Sequence, residues 1–185
     1  MGRDGNGNAW KHRQWSHRFL SDKPRQVNAR KLADKPQFTL EELYITPFRS
    51  RRRYSEDGVV SYVPVERRTA PTGIHIFDAY LQYLAGGNSD LDHFAQLHGL
   101  RRDDIDSLVF VLTGMRGVDF RLAFQVRMAD ELLRYTALSI AEVSRRSGLG
   151  SANNLYLTFK REYNLAPGYR RNALRKQGDV GRFRL

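Results

Sequence analysis

From residue 72 onward, apolar residues recur with the period of an α-helix. Ile74, Phe77, Leu81 and Leu84 mark one such face, since residues three and four apart lie on the same side of a helix. Glycines and capping residues divide the pattern into separate elements, because serine favours helix starts and glycine favours helix ends. The pattern predicts helices over about 74–84, 91–98, 101–112, 118–135, 140–147, 152–163 and 169–176.

These helices form two cycles of short helix, glycine-containing turn and longer helix, the helix-turn-helix arrangement. In the second cycle Ser139 and Glu142 have the spacing of a capping box, and Ser151 is expected to cap the longer helix. Gly148 permits the turn between the two helices. We expect the helices to cross rigidly, with Ala141 allowing close approach and with Ile140 and Val143 packing against Leu155 and Phe159.

The first cycle, residues 89–114, has a different charge pattern. Ser89 lies three residues before Asp92, which resembles a capping box and predicts the start of the short helix. Acidic residues occupy the first turn of the longer helix of this cycle, and its later positions carry apolar residues that could dock another protein. These residues are Asp103, Asp104, Asp106, Val109, Phe110 and Val111.

Residues 1–71 differ from the rest of the chain and are predicted to form a basic arm. Residues 39–46 fit either a short helix or a strand. Asp57-Gly58 lies between two β-prone runs, which predicts a small hairpin over 49–63. In the first 38 residues, predicted to be flexible, Trp10, Trp15 and Phe19 could stack on bases of a single strand or dock on the protein's own core. Residues 177–185 are predicted to be a flexible basic tail.

The formal net charge of +11 and the sequence pI of about 10.2 favour a polyanionic partner, either nucleic acid or an acidic membrane surface. The charge lies mainly at the two ends, with a net +7 over residues 1–70, −2 over 71–150 and +6 over 151–185. The chain has no cysteine, which excludes disulfides, thiolate metal sites and cysteine nucleophiles. No apolar run is long enough to cross a membrane and no secretory signal is visible, so we expect a cytoplasmic protein with no membrane partner.

At this point the sequence resembles the AraC family of bacterial regulators. The resemblance covers about residues 74–175 and rests on five runs, Ala129-x-x-Leu132-Leu133, Ser139-Ile140-Ala141-Glu142-Val143-Ser144, Gly148-Leu149, Leu155-x-x-x-Phe159-Lys160-Arg161 and Pro167-x-Tyr169-Arg170. It implies an all-α domain over 72–176 with two helix-turn-helix units. A linker helix, here 118–135 and about 27 Å long at 1.5 Å per residue, joins the units. Such a length suits recognition helices that enter successive major grooves about 34 Å apart.

The resemblance implies double-stranded DNA as partner and places most contacts on the second unit. Asn153 and Asn154 could pair with adenine edges, and Tyr156 and Leu157 could meet thymine methyl groups. Lys160, Arg161, Arg145 and Arg146 are expected at phosphates. The remaining predicted DNA-binding residues are Ser151, Ala152, Tyr169, Arg170, Arg171, Arg101, Arg102 and Ser107.

No catalytic triad, phosphate-binding glycine loop or metal-ligand spacing is visible, so no enzyme, cofactor or metal site is predicted. His93 and His98 are five residues apart and do not share a helix face, and the first-turn aspartates complement the helix dipole. The prediction is therefore a sequence-specific transcriptional regulator. Two alternatives stay open, a non-specific architectural DNA binder and an interaction module. In the second, the acidic first unit or the arm contacts RNA polymerase or another protein. We also expect residues 72–176 to fold without the first 70.

Overall fold

The computed structural model describes residues 36–66 and 71–185. The arm aromatics Trp10, Trp15 and Phe19 therefore lie outside the described residues. In chain order the helices are α1 (Leu40–Leu43), α2 (His75–Ala85), α3 (Leu91–Leu97), α4 (Arg102–Thr113), α5 (Gly117–Tyr135), α6 (Ile140–Arg146), α7 (Ala152–Tyr163) and α8 (Pro167–Leu174). The strands are β1 (Ser50–Tyr54), β2 (Val60–Pro64) and β3 (Phe183–Arg184).

Helix α5 is the centre of the fold, and it packs against α1, α2, α4, α6 and α8. Helix α5 is central because apolar residues lie on most sides of its 19 residues, and such a helix must be covered by other elements on most sides. Its fully buried apolar side chains are Phe120, Ala123, Phe124, Val126, Met128, Ala129, Leu132 and Leu133. The predicted all-α domain with a long linker helix is confirmed.

Two units of matching dimensions flank α5. The first unit is α3 with α4 and the second is α6 with α7, and in both a helix of seven residues precedes one of twelve. Each longer helix ends on a residue in the left-handed conformation, Gly114 at φ 68° and Asn164 at φ 55°. The next helix then begins three residues later in each case, at Gly117 and at Pro167. The repeat predicted from the sequence is thus present, with equal helix lengths in both units and a turn that is one residue longer in the second unit.

A three-stranded antiparallel sheet stands beside the helices, in the order β2-β1-β3. The predicted hairpin is confirmed, with Arg52 opposite Tyr62 and the turn at Glu56 to Gly58. The third strand comes from the end of the chain, where Phe183 lies opposite Arg51.

The flexible tail predicted for 177–185 is wrong. Phe183 stacks on Phe48 with ring centroids 5.3 Å apart and meets Tyr135 edge-on at 4.7 Å. Asp179 is buried and accepts a 2.8 Å hydrogen bond from Nε of Arg134 on α5. Strand pairing, ring contacts and an ion pair therefore fix this segment.

The packing also does not follow the predicted division at residue 71. Thr39 and Glu42 cap α1 reciprocally, and this short helix leads into a segment that packs on α5. Glu131 of α5 accepts hydrogen bonds from Tyr44 at 2.9 Å and from Thr46 at 2.8 Å. The apolar residues that this segment buries in the common core are Leu40, Leu43, Ile45 and Phe48.

Two predicted helix details also need correction. The N-cap of α3 is Asp90 rather than Ser89, because the Asp90 carboxylate accepts the N–H of His93 at 2.9 Å. The last helix spans 167–174, so it begins and ends two residues earlier than the predicted 169–176. In α6, Ser139 accepts from the Glu142 N–H as predicted, but the Glu142 carboxylate turns to arginines of the same helix.

Candidate nucleic-acid interface

The second unit is held rigid by a small buried contact between its helices. Ser144 of α6 is fully buried, and its hydroxyl donates a 2.5 Å hydrogen bond to the carbonyl of Ser151, the N-cap of α7. Ala141, predicted at this close approach, is exposed instead. The reason is helical geometry, because Val143, Ser144 and Ser147 share the inward face whereas Ala141 lies off it.

The turn of the second unit is locked to the rest of the domain. Gly148 adopts φ 80°, which favours glycine. Its carbonyl accepts a 2.9 Å hydrogen bond from the buried Gln125 amide of α5. A Cβ atom at Gly87 would lie 2.4 Å from the Arg146 carbonyl oxygen, so the backbone just after α2 packs directly against the backbone at the end of α6. These contacts fix the direction of α7.

Helix α7 exposes one face to solvent and buries the other. Leu155 and Phe159 are fully buried against α6 and the core, as the sequence predicted. The side chains on the exposed face of α7 are Asn153, Asn154, Tyr156, Leu157, Lys160 and Arg161, with Ser151 and Ala152 at the start of the helix. They span three turns of the helix on one side, which is the form that a groove-reading helix requires.

The cations around α7 differ in how far they are already engaged. The Lys160 ammonium lies 5.9 Å from the centre of the Tyr156 ring, and Nε of Arg161 contacts Glu162 at 3.0 Å. Arg145 and Arg146 both bind the same carboxylate oxygen of Glu142 at 2.6 Å. These hydrogen bonds, first that from Arg145, lower the pKa of Glu142 from the ordinary 4.5 to about 2.

Two of the predicted DNA contacts on α8 have structural roles in this conformation. Arg170 donates through Nε and Nη2 to Asp130 of α5 at 3.0 Å and 2.7 Å, and its guanidinium lies 3.8 Å from the centre of the Tyr163 ring. Burial raises the pKa of the Tyr163 hydroxyl, which also donates to Asp130 at 2.6 Å. Arg171 donates to the Leu138 carbonyl at 2.6 Å.

Arg170 therefore joins α8 to α5, and Arg171 joins α8 to the loop between α5 and α6. Both guanidinium groups are engaged within the domain, and their role as DNA contacts stays a prediction. Tyr169, by contrast, is 72% exposed and remains accessible to a partner.

The first unit presents a different surface at corresponding positions. Counting from the start of each twelve-residue helix, Phe110 and Val111 of α4 correspond to Lys160 and Arg161 of α7. Both apolar side chains are exposed, at 40% and 49%. The exposed Ser107 corresponds to Leu157. Helix α4 therefore offers no cation where α7 offers two.

The charged residues of the first unit are largely paired with one another. Arg101 contacts Asp104 at 3.2 Å, and Arg102 contacts Asp92 at 3.4 Å and Asp106 at 3.8 Å. Asp106 also covers the start of α5, since a Cβ at Gly117 would lie 1.8 Å from its carboxylate oxygen. A carboxylate at a helix N-terminus is stabilising, so Asp106 belongs to the α4–α5 junction.

Sequence reasoning missed the residues that orient the second unit. Gln125 and Asp130 lie on α5 and act on residues 23 to 40 positions away. The sequence offered one sign of this role, since both are polar residues at positions of α5 that face the rest of the domain and are otherwise mostly apolar. Within residues 36–66 and 71–185, no cluster of metal-ligating side chains is present and no helix is long and apolar enough to cross a membrane.

Comparisons of the whole chain with known proteins give matches among solved structures. No family profile matches the sequence, and no curated protein matches it. The C-terminal domain of AraT, a response regulator from Geobacillus stearothermophilus, is similar with a TM-score of 0.50 at 17% identity, over 60% of this chain and 92% of that domain. The C-terminal domain of the response regulator yesN from Fusobacterium nucleatum gives 0.46 at 20% identity, over 52% and 94%.

The DNA-binding domain of AdpA, a global transcriptional factor solved with a target DNA, gives a TM-score of 0.46 at 25% identity, over 54% of this chain and 88% of that domain. The AraT match covers nearly that whole domain and agrees with the two units joined by α5. The helical part of the chain therefore has the fold of that C-terminal domain, with two helix-turn-helix units joined by the long helix α5.

Proposed function

We propose that this protein is a transcriptional regulator that binds double-stranded DNA sequence-specifically, with α7 as its main reading helix. The observation that carries the proposal is the exposed face of α7, where two asparagines at the first turn precede two cations at the third. Base-reading groups near the helix start and phosphate-binding groups further along are the pattern of a helix lying in a major groove.

Asn153 and Asn154 supply the base reading in this proposal. Both are exposed in the first turn of α7, and neither side chain is the cap, because Ser151 accepts the N–H of Asn154 at 3.1 Å. A carboxamide can donate to N7 and accept from N6 of adenine at the same time. Leu157, 57% exposed one turn later, is placed to meet a thymine methyl group.

Rigid support for α7 makes such reading effective. Ser144 and Gln125 fix the turn before the helix, and Asp130 holds Tyr163 at its last residue. Both ends of α7 are thus tied to neighbouring elements, so little ordering is needed when DNA binds, and the loss of conformational entropy is small.

The two units have unequal roles in the proposed complex. Phe110 and Val111 replace phosphate-binding cations on α4, and Asp103 is an exposed carboxylate at the start of that helix. Phosphates repel a carboxylate and form no ion pair with apolar side chains. We infer that affinity and sequence choice come mainly from the second unit.

Selection of bound duplexes from a random pool tests the proposal, and a consensus sequence is the expected result. On the selected duplex, Asn153→Ala and Asn154→Ala should each cost about 1–3 kcal/mol, with little change on scrambled DNA. Gln96→Ala is the matched control, since it removes an exposed carboxamide from α3 instead of α7. Recovery of a pool without a consensus, or equal losses on both duplexes, would contradict sequence-specific reading by α7.

A further inference from the structure

The first strand of the sheet carries a row of arginines that the second unit does not account for. Arg49, Arg51 and Arg53, here named the arginine row, alternate with Ser50 and Arg52 along an extended chain. Arg49 continues the strand pairing, because its N–H donates to the Arg184 carbonyl at 2.8 Å. Alternate residues of a strand point to the same side, so the three side chains project from one face, with their Cα atoms about 7 Å apart from one to the next.

The arginine row is exposed and its charge is not compensated nearby. All three residues are exposed, and within residues 36–66 and 71–185 none of them lies within 4.0 Å of a carboxylate. By contrast, Arg101, Arg116 and Arg134 each have an acidic partner. Three like charges on one side of a strand repel each other, and a polyanion would remove that repulsion.

One end of the arginine row lies beside the second unit. Arg49 lines one groove with Arg145 and Arg146 at the end of α6. Gly86 and Gly87, just after α2, and Leu185, the last residue of the sequence, line the same groove. The cations of the strand are thereby continuous with those beside the turn of the second unit.

The sheet that carries the row is firmly attached to the helical domain. Arg52, which points to the other side, donates to the Gly178 carbonyl at 2.7 Å, and Tyr62 donates to the Gly181 carbonyl at 2.8 Å. The N–H of Gly181 in turn reaches the carbonyl of Tyr135 on α5 at 3.1 Å. The arginines therefore stand on a fixed element, at a set position relative to α7.

We propose that the arginine row binds the phosphate backbone of duplex DNA beside the site that α7 reads. This proposal rests on the proposed function, because the DNA is placed by the reading of α7. The phosphate backbone is chosen as the ligand because of the exposed arginines of the row. Guanidinium groups bind phosphate oxygens with two parallel hydrogen bonds. Such contacts raise affinity for every sequence alike and carry no base information.

Salt dependence tests the charge contribution. The triple variant Arg49→Gln, Arg51→Gln, Arg53→Gln should bind the selected duplex and a random duplex of equal length about tenfold or more weakly at low salt. Its slope of log affinity against log salt should be shallower by about 0.9 for each lost contact. The matched control replaces the same three residues by lysine, which keeps the charge, so it should retain most of the slope.

A position-specific readout separates a DNA contact from a general charge effect. The chain has no cysteine, so Ser61→Cys, opposite Arg53 on β2, takes a single iron–EDTA cleavage reagent. It should cut the selected duplex outside the region cut from the same reagent at Leu165→Cys, an exposed position just after α7. Cleavage from position 165 alone, or an unchanged salt slope of the glutamine variant, would overturn the assignment.

The two proposals fail in different ways. If wild-type protein binds the selected and random duplexes equally, sequence reading by α7 is wrong, yet the glutamine variant still reports on the row. If discrimination persists while the row variant keeps its slope, only the arginine row is wrongly assigned.

Discussion

Phe110 and Lys160 occupy the same position in two helices of equal length, each the ninth residue counted from Arg102 and from Ala152. The helices that precede them are also of equal length, and each following helix begins after the same number of residues. The backbone thus repeats, whereas the outward chemistry does not. Both units therefore have the backbone that presents a helix to solvent, but only α7 carries a cation at this position that could bind a phosphate.

Replacing this matched pair measures the difference directly. Lys160→Gln should weaken binding to cognate and scrambled duplexes to a similar degree and reduce the salt slope by about 0.9, because one phosphate contact is lost. Phe110→Gln should leave affinity and slope unchanged. Band shifts over a salt series provide the measurement, and an equal loss in both variants would mean that the first unit also lies against the DNA backbone.

Glu142 restrains the two arginines of α6 and should therefore limit DNA affinity. Its carboxylate binds Arg145 and Arg146 through the same oxygen at 2.6 Å. Glu142→Gln frees both guanidinium groups for phosphates, so we expect tighter binding to every sequence and a steeper salt slope. Glu41→Gln makes the same change in net charge beside Arg127 of α5. An equal gain from the two variants would show that only the overall charge matters.

The helical units were predictable from sequence because their signals are local. Apolar spacing, Ser139 and Ser151 as caps, and Gly148 at the turn all act within one or two helical turns. Asp57-Gly58 acted in the same way for the hairpin. Where a local pattern was misread, as with Ala141, the correct face was still present in the spacing of Val143, Ser144 and Ser147.

The sheet edge and the packing of α1 could not be predicted, because they depend on pairs distant in sequence. Phe183 lies opposite Arg51, and Glu131 binds Tyr44. A two-residue strand and a four-residue helix are too short to show a repeating pattern of apolar residues in the sequence. Arg170 shows the same limit within the site, since only the fold brings it to Asp130.

The segment before the hairpin should be required for stability, which changes the truncation expected from sequence. A fragment of residues 72–176 would lose Leu43, Ile45 and Phe48 from the core, and burial of each such side chain contributes about 1.5–3 kcal/mol. That sum is comparable with the whole stability of an ordinary domain. We expect a fragment of residues 36–185 to unfold cooperatively in urea and the shorter one to be largely unfolded. Equal urea midpoints for the two fragments would contradict this expectation.

The pH dependence of stability should run in opposite directions for two carboxyl groups. Burial raises the pKa of Glu131 above the ordinary 4.5, although hydrogen bonds from Thr46 and Tyr44 oppose the shift. The folded protein then holds this proton after the unfolded chain has released it, so stability falls as pH rises from 4.5 towards the raised pKa. For Glu142, with its pKa lowered to about 2, stability is present above 4.5 and is lost as pH falls towards 2.

Urea unfolding of wild type, Glu131→Gln and Glu142→Gln over a pH series separates these contributions. The difference in unfolding free energy between wild type and Glu131→Gln should decrease as pH rises above about 4.5. The difference between wild type and Glu142→Gln should instead decrease on acidification below that value, because the ion pairs with Arg145 and Arg146 need an ionised carboxylate. If the Glu131 difference grew with rising pH, its hydrogen bonds from Tyr44 and Thr46 would outweigh the burial of its charge, and the carboxylate would stabilise the α1 segment through its negative charge.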